Sequence, residues 1–249
     1  MLPQMECMLS KLNNEGYAIA LAVFTADQVV AMLTGLEHAF RNRDDVARRS
    51  EGGSVFAARN VLELWPPAAL VWRQGPLPDL LCRCLGPDFG LVRGLYFDKP
   101  PDRSWALPWH KDLTIAVRQH RPSQRFSHPT IKAGVAHVEA PREILEKMLT
   151  LRIHLDEVIV ENGPLQVIPG SHRHGTQTEF GDKQPVPVFA NKGDVLLIRP
   201  LVAHCSGGAA PGTQRHRRIL HLEFAAAPTL PDGFEWHEFF AGSPTPKPV

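Results

Sequence analysis

From residue 91 to residue 226 the apolar residues of this chain come in short runs, most of them closed off by glycine, proline or asparagine. The segments LVRGLYFDK (91–99), MLTLRIHLDE (148–157), PLQVIPG (164–170), GDVLLIRP (193–200) and RILHLEFAA (218–226) are aliphatic or β-branched. Runs of this length and composition form strands. Over the whole chain 23 prolines and 19 glycines punctuate short apolar runs as turn formers, so the chain must change direction many times.

Before residue 91 the period is helical. In TADQVVAMLTGLEHAF, Thr25 offers an N-cap and Gln28 its capping-box partner, and Val29, Val30, Leu33, Leu36 and Phe40 recur at helical spacing. A second helix is expected over 78–85, ending at Gly86, and a short third one over 141–148. Helices first and strands afterwards fit helices packed on one side of an antiparallel β-sandwich or jelly roll. A parallel doubly wound fold would need the two to alternate throughout. No linker or repeat interrupts the chain, so 1–249 is read as one domain: a mainly helical part over 1–90, a jelly-roll core over 91–227 and a tail over 228–249, with GSPTPKPV frayed. Residues 118–129 (RQHRPSQRFSHP) have no apolar period and are expected to form a long loop, of the kind that often serves as a lid or binding loop.

Twenty-seven basic against 26 acidic residues leave a formal charge of +1, and there is no long basic run. That balance argues against nucleic acid or an anionic membrane as main partner. No stretch approaches the ~18 apolar residues of a membrane span, and the N-terminus lacks the basic and apolar blocks of a secretory signal, so a cytoplasmic protein is expected. Cys7, Cys82, Cys84 and Cys205 are scattered, without a CxxC pair, and are expected to be buried free thiols.

The sharpest local feature is WHKDL. His110 and Asp112 stand two apart, so on an extended strand both side chains point to one face and can reach a single divalent cation. His204, after the apolar strand GDVLLIRP, is the leading third ligand. Two histidines and one carboxylate bind one face of an octahedron and leave the rest open, as in non-haem Fe(II) oxygenases. Alone, the HxD triplet is a weak signal, and a hydrogen-bonded strand histidine is an equal reading of His110. The chain has no GxGxxG, no GxxxxGK[ST] and no GxSxG, so nucleotide binding and an acyl-transfer serine have no motif.

WHKDL is followed in order by ENGPLQVIPGSH (161–172), GDVLLIRPLVAHCSGG (193–208) and RRILHLEF (217–224). Together these motifs resemble the phytanoyl-CoA dioxygenase family of Fe(II)/2-oxoglutarate oxygenases from about Gly94 to Phe224, while the region before Gly94 matches only in style. The resemblance implies a double-stranded β-helix (jelly-roll, cupin-like) core with His110, Asp112 and His204 as iron ligands. It further implies 2-oxoglutarate as cosubstrate, O2 and a small molecule as substrates, and oxidation at a C–H bond with succinate and CO2 released. The carboxylate of Asp112 favours hydroxylation or another hydrogen-abstracting outcome over halogenation.

Ser206 matches a residue that bonds the cosubstrate carboxylate. An arginine on the next strand should pair with its distal carboxylate. Counting from His204 selects Arg215, and aligning the strand backward selects Arg217, which is preferred because a loop tolerates an insertion better than a strand register does. Thr114 and Lys99 are weaker cosubstrate candidates. Arg152 and His154 alternate on TLRIHLDE; a buried arginine there needs an anionic partner, and both are substrate candidates. Arg121 and Arg125, in the loop expected over the metal, could meet an anionic substrate. Two rival readings remain open: a metal-dependent cupin-type enzyme without 2-oxoglutarate, and a non-enzymatic jelly-roll binding module. Substrate identity and oligomeric state are not legible.

Overall fold

Thr25 starts a helix as its neighbours suggest. Its hydroxyl accepts from the Gln28 amide at 3.2 Å, and the Gln28 side chain accepts from the Thr25 amide at 2.9 Å. The computed structural model, which describes residues 2–177 and 183–242, runs this helix over Ala26–Ala39 and buries Val29, Met32 and Leu36, with Phe40 closing it. The stripe differs from the sequence pattern at one position: Val30 is 54% exposed, and Met32 packs instead.

In chain order the first elements are α1 (Leu2–Glu15), β1 (Tyr17–Ala20), α2 (Ala26–Ala39), β2 (Ala47–Arg49), β3 (Val55–Ala58), α3 (Val61–Leu64), α4 (Ala68–Val71) and α5 (Leu77–Leu85). Then come β4 (Gly90–Phe97), β5 (Leu107–His110), β6 (Thr114–Val117), β7 (Ser127–Lys132), β8 (Val135–Glu139), α6 (Arg142–Leu145) and β9 (Met148–His154). The last are β10 (Leu165–Val167), β11 (Val186–Val188), β12 (Val195–Ile198), β13 (His204–Ser206), β14 (Ile219–Ala225) and β15 (Phe240–Ala241). The main sheet has the order β1-β12-β9-β14-β4-β3-β2, with β15 also on β4; a second is β11-β10-β13-β5 and a third β6-β8-β7. The strand pairs are antiparallel, and the fold is mainly β with a jelly-roll core.

The central strands explain how the site is built. In MLTLRIH, Leu149, Leu151 and Ile153 turn one way, onto Trp72, Leu80, Leu81 and the other helix residues of the largest core cluster. Thr150, Arg152 and His154 turn the other way, toward the second sheet. β14 repeats this with Leu220, Leu222 and Phe224 outward and Ile219, His221 and Glu223 inward, and all of these residues are buried.

Several expectations are corrected. Helix α1 and strands β1, β2 and β3 were not anticipated, and β1 and β2 end the main sheet, so the boundary near residue 90 does not divide the sheet. These strands are three or four residues long, too short to show a period. The expected loop over 118–129 ends early because β7 begins at Ser127. The helix expected over 141–148 is only Arg142–Leu145, since Met148 already pairs with Ala225. The segment after 228 is not a tail as far as it is described: Phe234 and Trp236 are buried and β15 pairs with β4, while residues 243–249 of the frayed-end expectation lie outside the described residues. Cys7 and Cys82 are exposed rather than buried, and all four thiols are free. Among the described residues, no helix is long and apolar enough to cross a membrane.

Candidate active site

The register of β13 and β5 sets His204 directly opposite His110, and their rings lie 4.2 Å apart centre to centre. Asp112 follows two residues after His110, its amide donating to the Pro200 carbonyl at 2.9 Å. Its carboxylate lies 3.8 Å from Nε2 of His110 and 3.6 Å from Nε2 of His204. One ligand atom from each of the three falls within 4.8 Å of the others.

The tautomers suit a cation. Nδ1 of His110 meets the Pro108 carbonyl at 2.8 Å and Nδ1 of His204 meets the Val202 carbonyl at 2.9 Å, so each ring proton sits on Nδ1 and each Nε2 lone pair faces Asp112. Burial lowers the His204 pKa to about 4 against the pull of Asp112, which keeps the ring neutral. Burial pushes the Asp112 carboxyl up, but His204, His221, His110 and Arg152 outweigh it and hold it below the usual carboxylate range. Two neutral nitrogens and an ionised carboxylate are the donor set of a divalent transition metal.

A cavity opens beside the triad, with Arg152, Arg217 and Ser206 in its wall and Phe97, Trp105 and Leu107 among its apolar lining. Arg217, 3% exposed, has its Nε without a partner among the described residues. Its pKa is lowered to about 9 by burial and by the neighbouring Arg152, against the opposite pull of Asp98. Arg215 instead reaches Glu157 and Glu161 at the surface, and Arg218 is held by Asp156, so of the three only Arg217 turns into the cavity. Lys99 is wholly buried: its Nζ donates to Ser206 Oγ at 3.2 Å and to the Gly207 carbonyl, and burial together with Arg217 and Arg152 lowers its pKa to about 7.

Arg152 stands opposite His221 across β9 and β14, and its Nη1 donates to His221 Nδ1 at 3.3 Å. Nε2 of His221 in turn donates to Glu223 at 3.0 Å, and Glu223 takes both arms of the Arg93 guanidinium, Nε at 2.9 Å. Sequence reasoning missed His221, Glu223 and Arg93. The signal was present in part, since Arg217, Ile219, His221 and Glu223 share a parity on one strand; Arg93 needs the register. His154 is buried behind Arg152 and does not line the cavity.

Three candidates fall elsewhere. Thr114 pairs with Glu139 in the third sheet and does not line the cavity. Arg125 is taken by Glu143 and, at 3.7 Å, by Asp232, while the exposed Arg121 lies outside the cavity lining. The loop that carries them is drawn toward the C-terminal segment, with Phe126 and Phe234 rings 4.3 Å apart, rather than over the triad.

Comparison with known proteins agrees with this geometry. The family model described as phytanoyl-CoA dioxygenase matches residues 12–218, reaching well before Gly94. An iron/alpha-ketoglutarate-dependent dioxygenase of Penicillium thymicola, penM, is 30% identical over 144 residues, covering 58% of this chain and 40% of that relative. The alignment thus spans less than half of that relative's length. Among solved structures, the non-haem alpha-ketoglutarate-dependent epimerase SnoN of nogalamycin biosynthesis superposes with a TM-score of 0.65 at 20% identity, covering 92% of this chain and 83% of that one. EctD of S. alaskensis with bound Fe gives 0.65 at 18% identity over 90% of this chain and 76% of its own. At such identities the likeness speaks for the fold.

Proposed function

Because the chain belongs to the phytanoyl-CoA dioxygenase family, we propose that it is a non-haem Fe(II)/2-oxoglutarate-dependent oxygenase that oxidises a small organic molecule at a C–H bond, releasing succinate and CO2. The observation that carries this reading is the convergence of His110, Asp112 and His204 within 4.8 Å, next to a buried arginine, Arg217, whose Nε has no partner among the described residues. The described chain acts as one oxygenase domain, since β1 near its start and β15 near its end are both hydrogen-bonded into the main sheet.

On this reading Nε2 of His110, Nε2 of His204 and the Asp112 carboxylate hold the iron. Once bound there with 2-oxoglutarate, iron supplies O2 activation coupled to loss of CO2 from the cosubstrate. The guanidinium of Arg217 binds the distal carboxylate, a role that suits its planar fork and permanent charge. Ser206 accepts from Lys99, which leaves its own hydroxyl proton to donate to the same carboxylate. Phe97 and Leu95 wall the cavity on the side of the main sheet and keep water out, while Trp105 and Leu107 meet the organic substrate.

The test needs no substrate. Metal-free protein is mixed anaerobically with Fe(II) and 2-oxoglutarate, and the visible charge-transfer band of the chelate is recorded. The band is expected in the wild type, absent in His204→Ala and weakened in Arg217→Ala. No band with folded wild type would overturn the proposal. A metal site whose ligand affinities ignore Arg217→Ala would favour a cupin-type enzyme without 2-oxoglutarate, and no metal binding at all a binding module.

A further inference from the structure

Besides the triad, the charged residues that line the cavity are Arg93, Arg152, Arg217 and Glu223. Arg93 and Glu223 cancel each other through two hydrogen bonds. Histidine ligands are neutral when they hold a metal, so a divalent ion with ionised Asp112 leaves one positive charge. Arg217 adds a second, and the dianion 2-oxoglutarate offsets both. Arg152 is left over. It is 7% exposed, stays ionised as arginines do, and has no carboxylate within ion-pair distance among the described residues. Lys99, lowered to about 7, can only add to this surplus. An unpaired charge in a dry cavity is costly, and something must offset it.

The guanidinium of Arg152 is held from one side only. Nη1 donates to His221, which Glu223 fixes and Arg93 fixes in turn, so three side chains aim a group that has no acid of its own. Nε is covered and unpaired. Nη2 has no partner among the described residues either, but it is not fully covered, and it is the nitrogen left open on the cavity side. Elsewhere in this protein the Nε and Nη2 edge is the one that grips a carboxylate: Arg93 presents it to Glu223 and Arg218 to Asp156. On Arg152 that edge is vacant. Arg152 stands opposite His221, four residues and about 13 Å of extended chain beyond Arg217. Asp112 is the charge that acts on Arg152, whereas Arg152 and Asp98 are those that act on Arg217. The surplus charge therefore lies at the metal end of the cavity and Arg217 at the other.

We propose that the organic substrate is a carboxylic acid, whose carboxylate meets Nη2 of Arg152 while its apolar part lies against Trp105 and Leu107. This rests on the proposed function above and deepens it by naming the substrate class. A carboxylate brings one negative charge, which matches the surplus. A phosphate monoester brings about 1.5 to 2 and would leave a buried charge of the opposite sign. A neutral substrate would leave the guanidinium unpaired in a site it has just closed to water. The network from Arg93 to His221 then has a purpose: it holds the guanidinium still, so that the acid is bound in one position.

Matched pairs of probes test this without the natural substrate. Hexanoate, phenylacetate and cyclohexanecarboxylate are each compared with their primary amides, which keep the skeleton and lose the charge. Each is titrated anaerobically into protein loaded with Fe(II) and saturating 2-oxoglutarate, and Kd is read from the shift of the charge-transfer band. In the wild type at least one acid is expected to bind about tenfold or more tightly than its amide, the worth of one hydrogen bond between charged partners. Arg152→Met should abolish that preference and leave the Kd of 2-oxoglutarate within about twofold. If Arg152→Met does not fold, Arg152→Gln, which keeps an N–H donor and removes the charge, takes its place. No preference for the acid in any pair, or a preference that survives in the variant, would overturn the inference. So would a variant that binds 2-oxoglutarate about tenfold more weakly, since Arg152 would then serve the cosubstrate. A wild type that binds no Fe(II) or no 2-oxoglutarate would overturn the proposed function itself, a result distinct from a wild type that binds both and ignores the acids.

Discussion

The two faces of β9 and β14 are equally dry and obey opposite rules. Leu149, Leu151, Ile153, Leu220, Leu222 and Phe224 are each 0% exposed and carry no polar side-chain atom. On the inner face Thr150, Arg152, His154, His221 and Glu223 are no more than 7% exposed, with Ile219 beside them and the apolar pair Met148 and Ala225 at the far end. A face shut away from water is normally apolar, because an unpaired polar group inside costs about 1–3 kcal/mol. The outer face follows that rule against the helices. The inner face breaks it and leaves some of its polar atoms unpaired, so its composition serves something other than stability. Burial identifies the core; unsatisfied burial identifies the site.

Substitutions on each face should separate the two. Phe224 packs its ring against Trp72 and Phe89, at 5.6 and 6.2 Å between centres. Phe224→Ala is expected to cost about 3–5 kcal/mol in denaturant unfolding and to leave Fe(II) affinity of the folded protein unchanged. Weaker metal binding would mean that the faces are mechanically coupled. On the inner face, Glu223→Ala strands the Arg93 guanidinium and removes the acceptor that orients His221 and, through it, Arg152. A cost of about 2–3 kcal/mol is expected, at the lower end for a broken buried pair because the Arg93 side chain is still 13% exposed. Replacing both partners together, Arg93→Met with Glu223→Leu, should recover most of that stability. A double variant as unstable as the single one would show the pair to be a structural strut rather than a positioning device.

How far the sequence alone reads this molecule follows from the same contrast. Strands β9, β12 and β14 were legible because their apolar runs are long and bounded, and His110, Asp112 and His204 because two of them sit in one short motif. Arg217 was legible by strand parity and is the arginine that enters the cavity, while Arg215 and Arg218 meet carboxylates outside. The three short strands before residue 90 were not, since three or four residues show no period and are held by partners far along the chain, as Tyr17 is opposite Ile198. The inner network failed for a related reason. His221 and Glu223 look like solvated polar positions of an amphipathic strand until the facing sheet is known, and Arg93 becomes their neighbour only through the β4–β14 register. Arg125 misled in the opposite sense: position and charge suggested a ligand contact, and Glu143 and Asp232 were already there to neutralise it.

The smallest effect comes from acid, and it again divides the faces. Burial, reinforced by Arg152 and Arg217, lowers His154 to about 3, and burial lowers His137 in β8 to about 4. In the unfolded chain both return to about 6.5. A group whose folded pKa is depressed binds its proton first in the unfolded state. Its contribution to stability is therefore intact above about pH 6.5 and is lost as the pH falls toward the folded value, at about 1.4 kcal/mol per pH unit for each histidine. Metal-free wild type should lose unfolding free energy between about pH 6 and pH 4 with a slope that includes the protons of His137, His154 and His204, the last also lowered by burial to about 4. His154→Leu should make that slope shallower by one, about 1.4 kcal/mol per pH unit, while Phe224→Ala lowers the whole curve and leaves the slope as it was. Parallel curves for wild type and His154→Leu would mean that the folded protein protonates His154 as readily as the unfolded chain does. The ring would then be solvated, and the inner face would not be the dry, underbonded surface that its unpaired atoms describe.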